Sequence, residues 1–153
     1  MNINHNKLFF VQEQFPTLEE FIYANQLVTG QEFEHMYVGL RKDQIIHILY
    51  KPKANLDLAC AKEVVSYMGL ISNQKPLPNL IELTFGNNIT KEATKFSKSE
   101  EANKYTLADA ILVKSSIHRI LGNVYMSLGA TLKPTRLFVN QEYALHWLSN
   151  FQS

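Results

Sequence analysis

The sequence predicts an α/β domain. It reads as a mixed, mostly parallel sheet of about five strands with an N-terminal β-hairpin and about four helices, preceded by a helical extension. Three observations lead there. Tyr105 to Ser116 holds an apolar run with little alternation (Ala108, Ala110, Ile111, Leu112, Val113), as in a strand covered on both faces, and it ends on two serines able to cap a helix. Ile117, Ile120, Leu121, Val124, Tyr125 and Leu128 then follow helical spacing. Two short β-rich runs upstream are followed by alternating helix and strand signals, the order that gives parallel strands with right-handed crossovers.

The chain divides at about residue 33. Residues 1–32 read as an N-terminal extension, in which Leu8 to Val11 is a short strand. Thr17-Leu18-Glu19-Glu20 is a capping box behind Pro16, opening a helix from about Leu18 to Val28 that stops at Gly30. Its apolar positions (Leu18, Phe21, Ile22, Tyr23, Leu27, Val28) wrap more than one face and need cover from their own domain or from another subunit. Closed two-fold dimers commonly provide such cover, so a homodimer with residues 8–28 at its interface is expected.

Residues 33–153 form the domain proper. Met36 to Arg41 and Gln44 to Tyr50 make a hairpin across Lys42-Asp43, and Pro52 stops the second strand. Asp57 caps a helix with Ala61, Val64, Val65, Met68 and Ile71 on one stripe, and Asn73-Gln74-Lys75-Pro76-Leu77-Pro78 ends it. Leu80 to Phe85 is the next strand and Gly86-Asn87-Asn88 a turn. Thr90 opens a short helix with Ala93 and Phe96, and Ser97 to Lys104 is polar surface. After the Tyr105–Ser116 strand and its amphipathic helix, Gly129 is the stop, with Gly122 packed close to the sheet. Pro134 introduces a last strand, Thr135 to Val139. Asn140 caps a final helix that turns Ala144, Trp147, Leu148 and Phe151 inward.

The totals bound the function. The 153 residues are 46% hydrophobic and 19% charged, enough for one core, and a net charge of +1 argues against a dedicated nucleic-acid binder. A single cysteine, Cys60, excludes an internal disulfide and suits a reducing cytoplasm. No signal-peptide core and no apolar run of membrane-spanning length is present, so a soluble cytoplasmic protein is expected.

The hairpin strand Ile45-Ile46-His47-Ile48-Leu49-Tyr50-Lys51-Pro52, the strand and turn Ile81 to Gly86, the helix start Ile89-Thr90-Lys91-Glu92-Ala93, the segment Ala108 to Leu121, and the close Pro134 to Phe138 with Ala144 to Leu148 together resemble the STAS domain. That superfamily comprises sulphate-transporter and anti-sigma-factor-antagonist domains, and the resemblance, covering about residues 33–151, is to an uncharacterised bacterial branch. In antagonist members, a serine at the start of the second helix is phosphorylated to release a partner. The resemblance places Thr90 and Lys91 there. The Asp-Ser-Ser-Gly pattern is absent and Lys91 falls about where the serine would be, so the usual phospho-switch is not expected. The resemblance also extends to lipid-exchange domains.

Catalytic and metal chemistry find little support. His5, His35, His47, His118 and His146 show no HxxxH or HExxH spacing, and Cys60 has no CxxC partner. His47 alternates within its strand and reads as a half-buried or edge histidine. Ser115, Ser116 and His118 are explained by capping without a nucleophile elbow, and neither nucleotide-binding glycine motif occurs. No enzyme activity and no cofactor are expected. One constellation remains. In a parallel sheet the helices that follow strands start on one edge, which would gather Asp57, Thr90, Lys91, Ser115, Ser116, His118 and Asn140 into a partner- or anion-binding edge. The expected function is therefore a non-enzymatic interaction or regulatory domain binding a protein partner. The alternative is a carrier or sensor of a small apolar or anionic ligand.

Overall fold

The computed structural model describes residues 14–113 and 131–152. Along the chain run α1 (Leu18–Ala24), β1 (Leu27–Glu32), β2 (Met36–Arg41), β3 (Ile46–Tyr50), β4 (Asn55–Leu56), α2 (Leu58–Ile71), β5 (Leu77–Glu82), β6 (Asn88–Ile89), α3 (Lys91–Ser97), β7 (Thr106–Leu112), β8 (Thr135–Phe138) and α4 (Gln141–Leu148). A 3-10 turn, Ser149–Phe151, follows. The strand expected at Leu8–Val11 and the helix expected over Ile117–Leu128 lie outside the described residues, as do Ser115, Ser116 and His118.

The main sheet has six strands in the order β1-β2-β3-β5-β7-β8, one more than the sequence reading. Strands β1, β2 and β3 pair antiparallel, and β3, β5, β7 and β8 pair parallel. Spatial order thus equals chain order, and the direction of winding never reverses among the parallel strands. The crevice that a reversal opens in doubly wound sheets has no counterpart among these strands. A second small sheet pairs β4 with β6 in parallel.

Helix α2 turns Cys60, Val64 and Met68, one face at four-residue spacing, onto Met36, Val38, Ile46 and Ile48, and α3 packs beside α2. The opposite face is covered by α4, whose Ala144 and Leu148 meet Ile45, Leu80, Ala108 and Ala110, and by α1, whose Phe21 packs with Leu27, Tyr37 and Leu49. Trp147 is half-buried, stacked between Phe138 and Phe151 with ring centroids 5.6 and 4.8 Å away.

The extension differs most from expectation. Thr17 caps α1 as read, accepting from the Glu20 N–H at 3.2 Å, but the helix ends at Ala24, not Val28. Gln26 turns the chain at φ 54°, and Leu27 to Glu32 become β1, so Gly30 sits in a strand rather than ending a helix. This splits the six apolar residues between two elements. Phe21 and Leu27 are buried and Leu18 and Ile22 pack against them, all within the same chain, while Tyr23 (89%) and Val28 (63%) stay exposed.

Two further bounds move. Strand β5 starts at Leu77, three residues earlier than read, with Pro78 buried inside it, because the ladder to β7 shifts register between Leu77 and Pro78 and absorbs the missing N–H. Strand β7 alternates in burial past its first residues: Ala108, Ala110 and Leu112 are buried under α4, while Asp109 and Ile111 on its other face are half-buried.

Candidate functional site

The caps at Asp57 and Thr90 are brought together by the loops that leave β3 and β5. Thr84 ties the loop bases, its Oγ1 donating to Tyr50 O at 2.8 Å while its N–H donates to Asn87 Oδ1 at 2.8 Å. Asn87 Nδ2 then donates to Lys51 O at 2.8 Å, and the Lys53 N–H to Phe85 O at 2.8 Å. Gly86 makes the turn at φ +76°, a left-handed conformation that favours glycine. Further along, the Asn88 N–H donates to Ala54 O at 3.0 Å, Asn88 Nδ2 to Asn55 Oδ1 at 2.7 Å, and the Thr90 N–H to Leu56 O at 3.1 Å. The two loops are zipped along their length, and β4–β6 is the regular part of that zipper.

One residue past each short strand stands a cap. Asp57 Oδ1 accepts from the Cys60 N–H at 2.9 Å and Thr90 Oγ1 from the Ala93 N–H at 3.1 Å, so α2 and α3 start side by side. Their N-terminal N–H groups present partial positive charge on one edge, to which the exposed Lys91 and Lys53 add. Between the loops Phe85 is 68% exposed, an aromatic ring held out by a hydrogen-bonded support.

The other expected residues part company. Asn140 caps α4, accepting from the Tyr143 N–H at 3.0 Å, but α4 lies on the opposite face of the sheet. There the neighbouring Gln141 Nε2 donates to Asn25 Oδ1 at 3.3 Å, beside α1. Ser115, Ser116 and His118 fall outside the described residues. The structure therefore unites Asp57 with Thr90 and Lys91 and puts Asn140 in the other layer.

Two buried polar groups escaped the sequence reading. His47 is fully buried, not half-buried or at an edge, because β3 is an interior strand and Phe21 of α1 closes over it, edge to face at 4.9 Å. Its Nε2 donates to Glu82 Oε2 at 3.0 Å, and its Nδ1 has no partner among the described residues. On the other face of the sheet, Asn79 Nδ2 donates both to Thr106 Oγ1 at 3.0 Å and to Asp109 Oδ1 at 2.9 Å. Burial pushes the Asp109 carboxyl up to about 6, against the pull of the Asn79 hydrogen bond, and pushes the Tyr50 phenol up as well. The signal for Asp109 was in the sequence: a lone carboxylate inside an apolar strand requires a partner or a function.

The family described as "Domain of unknown function (DUF7793)" matches residues 39–152. Comparison with curated proteins finds no match. Among solved structures, an uncharacterised DUF3478-family protein with a SpoIIAA-like fold from Shewanella loihica PV-4 is similar at 13% identity and a TM-score of 0.45, over 78% of this chain and 90% of that one. A protein of unknown function from Arthrobacter sp. FB24 is similar at 20% identity and a TM-score of 0.28, over 74% of this chain and 92% of that one. This chain itself runs from an antiparallel hairpin into parallel strands β3, β5 and β7, with α2 and α3 between them on one face.

Proposed function

The chain belongs to the DUF7793 family of domains of unknown function, and from this premise we propose that it is a non-enzymatic protein-interaction or regulatory domain of the cytoplasm. It works through the zipped loops in front of α2 and α3. The observation that carries the reading is Phe85, 68% exposed on a loop whose backbone is fixed at both ends. A rigid aromatic anchor loses little conformational freedom on docking, and aromatic side chains of this kind dominate interface energetics. Lys53 and Lys91 on the same pair of loops favour a partner with an apolar pocket rimmed by carboxylates.

By the resemblance to the STAS domain, Lys91 falls about where antagonist members carry the phosphorylated serine, and the Thr90 hydroxyl caps α3. Regulation therefore runs through binding itself rather than through a phosphate on α3. The test is in-cell crosslinking with mass spectrometry, comparing the native chain with the double variant Phe85→Ala, Lys91→Glu. A partner captured by the native chain and lost from a variant of unchanged circular dichroism and melting temperature supports the reading. An identical set of crosslinked proteins refutes it. Intact mass of protein recovered from its own cell is expected to show no phosphate at Thr90.

A further inference from the structure

Between the β4–β6 pair with the end of α3 and the sheet face opposite α4 lies a cavity of about 170 Å³. Its apolar wall is made by Leu56, Ile81, Leu83, Ile89 and Ile111. Asp109 faces this space from β7 and Tyr50 from β3; among the described lining residues these two are the titratable ones and Asp109 alone carries a charge. Its Oδ1 accepts from Asn79, and no described lysine, arginine or histidine pairs with it. The cavity thus combines apolar walls with one carboxylate that has a single described hydrogen-bond donor, beside the hydroxyls of Tyr50, Thr131 and Thr135.

We propose that this cavity is a binding site for a small monocation with a compact apolar body, of the arylalkylamine or branched alkylamine class, whose ammonium group meets Asp109. The size fits: an engineered cavity of about 150 Å³ holds benzene, so this one takes a ring or branched chain with a short amine arm. The charge fits as well. A carboxylate withdrawn from water with a single donor gains most from a ligand that brings a positive charge, because a hydrogen bond to an ionised group is worth more than a neutral one. Anionic ligands meet Asp109 as a like charge and are rejected. Neutral ligands fill the walls and leave Asp109 as it was. Tyr50 stays neutral, since its phenol is pushed up by burial first and by Cys60 and Asp109 after it, so Asp109 alone sets the charge preference on the described walls.

The site is separate from the exposed loop face around Phe85, and its test does not depend on any protein partner. Benzylamine is titrated against the full chain with benzyl alcohol as the neutral comparator, read by methyl NMR of Ile81, Leu83, Ile89 and Ile111. Measurements at pH 8 and pH 5 bracket the Asp109 carboxyl, which lies at about 6; benzylamine stays protonated at both. The expected result is saturable shifts of those four residues with benzylamine bound about tenfold more tightly than benzyl alcohol at high pH. That preference collapses at low pH and in Asp109→Asn. Equal affinity for the two probes at both pH values, shifts confined to surface methyls, or no shift with either probe at millimolar concentration overturns the proposal. The native chain read at two pH values decides the matter even if the variant does not fold.

Discussion

Replacing Asp109 by asparagine is expected to stabilise the protein at neutral pH, which few substitutions of a buried polar residue do. The carboxyl is moved from 3.8 to about 6 by burial, with the Asn79 hydrogen bond opposing. Between those values the folded chain holds the proton more firmly than the unfolded chain does. The contribution of Asp109 to stability is therefore fully present below pH 3.8 and is lost as pH rises through about 6. At about 1.4 kcal/mol per pH unit, the full span is about 3 kcal/mol. Asparagine keeps an oxygen to accept from Asn79 Nδ2, and its own amide finds the unpartnered Asn79 Oδ1 within the same cluster. Urea unfolding followed by Trp147 fluorescence, with native and variant chains compared from about pH 4 to 7.5, isolates the effect because every other carboxylate is common to both. The two chains should be close at the acid end, and the variant about 2–3 kcal/mol more stable at the neutral end. A variant less stable at neutral pH, or a difference that does not change with pH, would refute the placement of an uncompensated carboxylate at this position of β7.

Thr90→Ala should cost about 1 kcal/mol through the lost cap on Ala93, with Thr90→Asp restoring it; chemical denaturation of the three chains checks both halves. Removing residues 1–32 strips Phe21 and Leu27 from Tyr37 and Leu49 and uncovers His47, a loss of about 5 kcal/mol. The truncated chain should lose its sharp unfolding transition, and a cooperative melt near that of the full chain would show that β1 and α1 are dispensable. Gly39→Ala places a Cβ 2.5 Å from Leu27 Cδ1 and 2.7 Å from Thr29 O, prising β1 from β2 at a cost of about 2 kcal/mol. Amide hydrogen exchange should show the lost protection concentrated in Leu27–Glu32.

What the sequence disclosed and what it hid divide by range. Thr17, Asp57, Thr90 and Asn140 were all legible as caps, because a cap reaches only three residues along the chain. The end of α1 was not. Leu27 and Val28 continue its apolar phase, and Gly30 imitates a helix stop. The helix is broken at Asn25-Gln26 by groups from β2 and its turn: Arg41 Nη1 donates to Asn25 O at 3.0 Å and the Lys42 N–H to Gln26 O at 3.1 Å. Those partners are far off in sequence and leave no local mark. The burial of His47 likewise depends on which strands flank β3, and the tie between Asp57 and Thr90 on a zipper between two loops. The stretch Asn73–Pro78 does end the helix before it, but Pro78 misled about the strand after it: it sits inside β5, where a register shift in the ladder accommodates it.

The strand order has a consequence for how the molecule is made. Each described strand of the main sheet lies beside the one before it, from β1 at one border to β8 at the other. As the chain leaves the ribosome, every new strand meets a border already waiting and none has to be threaded between two that have joined. The β1–β2–β3 meander closes on loops of a few residues and can form while α2 is still being synthesised; each later strand then closes a loop that costs little more than the last, because closure entropy grows slowly with length. Synthesis and assembly can proceed in step, with the unfinished border always the one from which the next strand emerges. A pause in translation would leave a shorter sheet of the same order rather than a misassembled one.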